Sequence, residues 1–465
     1  MKNNREQWGS RLGFILAASG SAVGLGNIWK FPHMAGQNGG AAFTIVYLIC
    51  ILIVGLPILL GELSIGRRTQ LSPVGAFNRL SGSSNWKWVG YLGVGSAFVI
   101  LSFYGVVGGW TLKYTIFSLT GGFDSLSGSP ELSGQVFSSF IESSFQPIIW
   151  QIVFMAFCIG IIIKGVKSGI EEGAKIMMPL ILIILGFLVV KGLSLEGGRK
   201  GLEFLFKPKF SDLNPSSIVL ALGHAFFTLS LGMGTMITYG SYLNKKQNLM
   251  NSAIWIILLD TFIAMLAGTA IFTIVFAMGA DPSSGAGLIF VVLPTIFPQI
   301  GGGIIWGTLF FFILFMAALT SAISILEVIT AYFIDQKGWS RFKATFLFGG
   351  VITLVGIFCS LSLGNLNVTA FLNITFFDFL DELSSKYMLP IGGALTAVFI
   401  LNKWSVNTFL DEILTGVQEK HLNRGLLINV LKVLLVVSSL IVGLIILNEL
   451  SDLLLGSSLQ KMVGL

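Results

Sequence analysis

The sequence predicts an all-α integral membrane protein of about eleven transmembrane helices, built as two inverted five-helix repeats with discontinuous helices 1 and 6. Three observations carry this expectation. Hydrophobic residues make up 54% of the 465 residues and charged ones 11%, with mean hydropathy +0.86; a soluble domain carries about 25% charged residues. Apolar runs near the ~20 residues that cross a bilayer recur about eleven times. Two of these runs, five spans apart, are interrupted by glycine and polar residues.

In order, the runs lie near residues 11–34, 40–66, 88–118, 146–164, 172–192, 217–243, 250–279, 303–336, 342–362, 386–402 and 427–447. The tenth is short and is expected to begin earlier, around Ala370 to Phe379. Residues 1–200 then hold the first repeat, 201–405 the second, and 406–465 helix 11 with a C-terminal tail. Most Lys and Arg, from Arg5 and Arg11 through Arg67, Arg68, Lys245, Lys246, Lys337 and Arg341 to Lys403 and Arg424, fall on one side. Arg199, Lys200, Lys207 and Lys209 oppose them. The majority places the N-terminus in the cytoplasm and the C-terminus outside.

Lys2, Arg5 and Arg11 before FILAA imitate a signal peptide, but Asn27, Trp29 and Lys30 stand where a cleavage site belongs, so the segment is read as retained. Between spans, 281–299 carries three prolines around an apolar centre and reads as a re-entrant or capping hairpin over the outer face. Ser125 to Ser144 reads as an ordinary exposed polar loop. Cys50, Cys158 and Cys359 are isolated in apolar runs, against a disulfide framework or metal site. The net charge of +6 requires no nucleic acid.

The first interruption is SGSAVGLGNIWKFP, Ser19 to Pro32, with Gly20, Gly24 and Gly26 followed by Asn27 and Lys30. Glycine costs about 1 kcal/mol in a helix interior. Irregular backbone at membrane depth persists only where protein buries it or a cavity uses it. The second is HAFFTLSLGMGTMITYGSY, with Thr228 and Ser230 beside Gly232 and Gly234. One such stretch alone reads equally well as a close-packing glycine face. Two at corresponding positions of inverted halves point to a transporter's binding site.

Each break makes two half-helices meeting near the midplane. The one beginning near Leu25 and Gly26 offers free N–H groups to a carboxylate. Those ending near Ala22 and Ser230 expose carbonyls to an ammonium group or a sodium ion. This backbone matches the common part of a free amino acid, and Asn27, Thr228 and nearby carbonyls supply sodium ligands. In AALTSAISILE, Ala317, Thr320 and Ser321 share one face and could complete a second sodium site with Gly20 and Val23; hydroxyls bonded back to their own helix are the alternative. Asp260 in IILLDTFIAML is an intramembrane acid, a functional residue by default unless it pairs with a buried polar group.

The strings REQWGSRLGFILAASGSAVGLGNIWKFP, FFTLSLGMGTMITYGSY and ALTSAISILEVITAYFID resemble the sodium:neurotransmitter symporter family, in its bacterial amino-acid branch, from about Arg5 to Leu447. The resemblance implies a plasma-membrane symporter using two sodium ions. The first ion would be held by the Ala22 and Thr228 carbonyls, the Asn27 side chain, the Thr228 hydroxyl, Asp260 and the substrate carboxylate. The second would use the Gly20, Val23 and Ala317 carbonyls with the Thr320 and Ser321 hydroxyls. The amino acid would lie among Ala22, Gly24, Gly26, Tyr104, Phe227, Thr228 and Ser230. Its side chain would contact Ile100, Met233, Ser321 and Ile325 under a Phe227 lid. Lys30 with Asp381 resembles the outer gate, and Arg5 with Asp335 and Tyr242 the inner one.

The departures from the family pattern carry information. Lys30 stands where arginine is usual and acts as a point charge without the bidentate fork. Asp260 replaces a common asparagine and Ala264 lacks an acid or serine, so a fixed carboxylate takes the part that chloride plays in animal members, and transport should be chloride-independent. Relatives that move amines place an acid at Gly24; glycine favours amino acids. The apolar wall and the adaptable Met233 point to large hydrophobic substrates, including aromatic ones. His224 near this cluster reads as a neutral, hydrogen-bonded histidine or as the carrier of a counter-transported proton. A twelfth helix present in many relatives is not expected, which leaves oligomeric contacts open.

The chief alternative is a proton-coupled amino-acid carrier on the same scaffold. A sensor would need a soluble domain to signal through. An enzyme would need a constellation that His33, His224 and His421 do not form.

Overall fold

Helices form where apolar residues run at membrane length, and they break where glycine and polar residues intervene. In the computed structural model, residues 5–82, 85–282, 287–364, 374–416 and 423–455 are described. The membrane elements are α1 (Arg11–Ala22), α2 (Gly26–Gln37), α3 (Ala41–Thr69), α4 (Lys87–Leu119), α5 (Gln146–Ile163), α6 (Val166–Ser194), α7 (Pro215–Thr228), α8 (Thr235–Gly240), α9 (Leu249–Ala277), α10 (Leu288–Gln299), α11 (Gly303–Lys337), α12 (Arg341–Ser362), α13 (Phe376–Trp404) and α14 (Arg424–Leu455). Among the described residues nine of these are long and apolar enough to span unbroken. α1 and α2 form a tenth span bent by 50°. α7 and α8, separated by residues 229–234, are the halves of the interrupted sixth segment. This agrees with about eleven spans.

The two breaks have clear local causes. α1 begins at Ser10, whose hydroxyl accepts the Gly13 N–H at 2.9 Å, a standard N-cap. It ends at Ala22 because Val23 turns to ψ 89°. After α7, Ser230, Gly232 and Gly234 take φ of +52°, +80° and +76°, a region only glycine enters without strain. Gly232 is also required sterically, since a Cβ there would meet the Leu389 carbonyl oxygen at 2.1 Å.

Burial separates core from periphery. The most apolar stretch of α11 is 89% buried inside the protein and that of α14 only 22%, so α14 faces lipid. α4 packs along α11, and α1 rests against α6, α9 and α11. The breaks therefore sit at the centre of the bundle.

One loop expectation changes. Pro130–Glu142, expected as exposed loop, is an α-helix. Ser129 caps it by accepting the Leu132 N–H, Pro130 occupies the first turn, and Glu131 meets the positive helix end. Its serines misled the reading, because Ser133 and Phe140 are its buried face. The 281–299 segment contains α10, with Phe290 packed edge-on to Trp29 and Trp110. The tenth span does start early, at Phe376; Ala370 lies outside the described residues.

Candidate substrate and sodium site

Ending α1 at Ala22 leaves its last carbonyls without intrahelical partners. Those of Gly20, Ser21, Ala22 and Val23 are thus free to bind something else. Ser21 O accepts from the Ser230 hydroxyl at 2.9 Å and the Ser321 hydroxyl at 3.0 Å. The Thr320 hydroxyl lies 3.4 Å from Val23 O and 2.9 Å from Ala317 O, and the Ser321 hydroxyl 3.5 Å from Gly20 O. Five oxygens from α1 and α11 converge in the set expected for the second sodium ion.

A second polar cluster joins the starts of α2 and the end of α7 to α9. Asn27 Nδ2 donates to Asp260 Oδ1 at 2.8 Å and to its carbonyl at 3.0 Å. The Thr228 hydroxyl donates to Asn27 Oδ1 at 3.1 Å and to Asp260 Oδ1 at 3.0 Å. Tyr47 donates to the other Asp260 oxygen at 3.4 Å. All four side chains are buried. Burying a carboxylate is costly unless it is paired and hydrogen-bonded, and no basic side chain is among its hydrogen-bond partners here. The donor set is therefore suited to a monovalent cation with oxygen ligands. No group of three His, Cys, Asp or Glu side chains that could hold a metal occurs among the described residues.

Between the clusters lies a cavity lined by Ser21, Ala22, Gly24, Gly26, Ile100, Tyr104, Phe227, Ser230, Met233, Ser321 and Ile325. Its walls are drawn together, leaving a cavity of only about 10 Å³. Ten of the expected substrate residues line it. Thr228 does not; its hydroxyl turns to Asn27 and Asp260 instead. Ser21 is on the wall and was not anticipated, and its hydroxyl bonds Ser324 at 2.7 Å. Beside Gly24, Tyr104 Oη accepts the Leu25 N–H at 3.2 Å. Gly24 is fixed by close approach: a Cβ there would meet Ser321 Oγ at 2.4 Å and Tyr104 Oη at 2.9 Å.

The two ion pairs expected as gates are both formed. In one, Lys30 Nζ is 3.2 Å from Asp381 Oδ1 and sits 4.4 Å above the Phe227 ring. In the other, Arg5 reaches both Asp335 oxygens at 2.6 Å, bonds Ser241, and lies 4.7 Å over Tyr242. Trp8 seals this end by donating to Tyr239 O at 3.0 Å.

The chain matches the sodium:neurotransmitter symporter family model over residues 5–126 and 137–452. It belongs to that family. This symporter is 42% identical over 411 residues to an uncharacterized sodium-dependent transporter, YhdH, of Bacillus subtilis, covering 88% of this chain and 90% of the relative. A sodium-dependent transporter of Haemophilus influenzae is 35% identical, with 85% and 89% coverage. Among solved structures, MhsT in complex with L-phenylalanine superposes with TM-score 0.86 at 46% identity, covering 95% of this chain and 100% of that one. The symporter is thus a sodium-dependent multi-pass membrane transporter and not an enzyme.

Several buried groups of the symporter were not anticipated. Glu62 accepts the Gly232 N–H at 2.8 Å and so braces the second break. Glu327 bonds Tyr242 at 2.5 Å and Arg341 at 2.6 Å behind the Arg5–Asp335 pair. Both are acids inside apolar runs, and the rule that singled out Asp260 applies equally to them. His224 departs from its expected hydrogen bond: both ring nitrogens lack a partner among the described residues, and the ring packs 5.0 Å from Tyr47.

Proposed function

We propose that the protein is a sodium-coupled symporter that imports neutral hydrophobic L-amino acids, aromatic ones included, by alternating access. The observation that carries this reading is the cavity between the two breaks. One end meets the start of α2 and Tyr104, the other the C-terminal end of α1, and Ile100, Met233 and Ile325 lie along the wall. A zwitterion with an apolar side chain satisfies all three surfaces. That MhsT was crystallised with L-phenylalanine supports the aromatic part of the reading.

Two sodium ions enter as co-substrates. The first sits among Ala22 O, Asn27, Thr228 and Asp260 and takes the substrate carboxylate as a further ligand. The second sits among Gly20, Val23, Ala317, Thr320 and Ser321 and ties α1 to α11. Shared ligation makes each solute tighten the other. Asp260 supplies the fixed negative charge, so chloride is dispensable. The Lys30–Asp381 pair separates to admit both ions and the substrate and closes over them, and Arg5–Asp335 then separates to open the site to the cytoplasm under an N-in, C-out topology. The two five-helix halves, 1–200 and 201–405, supply one break each.

Uptake of labelled phenylalanine into proteoliposomes at fixed pH tests the reading. A sodium jump should drive accumulation, undiminished when gluconate replaces chloride. Accumulation that follows a proton gradient and ignores sodium would favour the proton-coupled carrier.

A further inference from the structure

Away from the transport path, an apolar groove of about 490 Å³ opens between α3, α9, α14 and the short helix Val406–Leu414. Leu56, Leu60, Ile254 and Leu434 line its deeper part, and Asn248 and Asn251 close one end. That end lies on the face bearing Arg5, because Arg11, at the start of α1, reaches Asn251 in the first turn of α9. Leu434 is seven residues beyond Leu427, which along a helix is about 10 Å of depth. A groove of this kind on a lipid-facing surface matches one hydrocarbon chain lying along α14.

The polar end is strongly cationic. Arg11 is exposed and donates to Asn251 Oδ1. Lys245 and Lys246 are exposed in the turn just before Asn248, and their carbonyls approach Gly416, next to the groove-lining end of Val406–Leu414. Arg68 is 49% exposed and lies 3.6 Å from Glu412. Among the described residues the nearby acids are already engaged: Glu412 holds buried Arg67 at 2.7 Å, and Asp411 holds Arg424. Cations therefore outnumber free acids among the described residues of the rim where a headgroup would lie.

The geometry points to a binding site for one anionic phospholipid, its acyl chain in the groove and its phosphate held by Arg11, Lys245 and Lys246. Clusters of Lys and Arg at a membrane face attract anionic lipid by about fivefold per charge. The site is independent of the transport reading, since none of its residues touches the cavity.

The test uses the full chain reconstituted in phosphatidylcholine vesicles containing one-tenth phosphatidylglycerol, extracted gently and weighed by native mass spectrometry. Wild type should retain one phosphatidylglycerol in preference to phosphatidylcholine, and millimolar inorganic phosphate should not displace it. Lys245→Gln with Lys246→Gln should weaken retention by tenfold or more. Ile254→Trp, which fills the groove at a lipid-facing position, should abolish it, while Leu440→Trp on exposed α14 surface should not. Equal retention by the groove-filled variant, no headgroup preference, or displacement by phosphate would each overturn the assignment. Folding of each variant is checked by its melting temperature and its monodisperse elution in detergent, which do not depend on the transported solute.

Discussion

Asn27 Nδ2 and Asp260 Oδ1 lie 2.8 Å apart at the centre of the bundle, and the Thr228 hydroxyl reaches both residues. A neutral amide and a hydroxyl are the close partners of this buried carboxylate. Asp260→Asn removes the charge that, on the proposed reading, faces the first sodium ion. Hydrogen bonds to charged groups contribute about 1.5–3 kcal/mol, so sodium affinity should fall roughly tenfold to a hundredfold. A sodium titration of phenylalanine binding checks this; unchanged sodium dependence removes Asp260 from the site.

Gly24 faces Ser321 and Tyr104 so closely that no side chain fits without movement. Gly24→Ala should weaken substrate binding by overpacking, at about 1–3 kcal/mol. Gly24→Asp should abolish amino-acid uptake, since a carboxylate would stand where the substrate's own belongs. Uptake by Gly24→Asp at the wild-type rate would place the substrate elsewhere.

The two gates should differ in strength. Lys30 and Asp381 are 23% and 31% exposed and meet through one contact, whereas Arg5 and Asp335 are 13% and 9% exposed, and Arg5 reaches both carboxylate oxygens. Partly exposed single contacts contribute at most about 1 kcal/mol. Asp381→Asn should therefore speed substrate release only modestly. Asp335→Asn should open the inner side and raise the thiol-labelling rate of a Leu71→Cys reporter several-fold. Equal effects of the two variants on that reporter would contradict the asymmetry.

Glu62 holds the second break through the Gly232 N–H. Glu62→Ala leaves that buried donor unpaired, a loss of about 1–3 kcal/mol. The melting temperature should drop, and bound phenylalanine should restore only part of it, because the loop carrying Ser230 and Met233 loses its brace. A variant as stable as wild type would show that the loop holds itself.

Much of the site was legible in the sequence because its chemistry is carried by exceptions. Glycine and asparagine inside apolar runs are conspicuous, and Ala22, Gly26, Tyr104 and Met233 all line the cavity where the family pattern places them. Ser21 was missed because a serine beside a helix break carries no periodic signal. Thr228 was assigned to both substrate and ion, and only side-chain direction, which sequence does not encode, turns its hydroxyl away from the cavity. The helix Pro130–Glu142 was hidden by serines that its N-cap and buried face use. The Glu327–Arg341 pair joins residues whose partnership follows from the α11–α12 turn rather than from either residue alone.

The central claim is that the substrate carboxylate and the first sodium ion share a site. The most direct measurement is the affinity of labelled phenylalanine as a function of sodium concentration, in wild type and in Asn27→Ala. Wild-type affinity should rise steeply with sodium, and Asn27→Ala should weaken sodium and phenylalanine binding together. Phenylalanine affinity that stays constant across the sodium range, or a variant that loses phenylalanine binding with its sodium affinity intact, would contradict shared ligation.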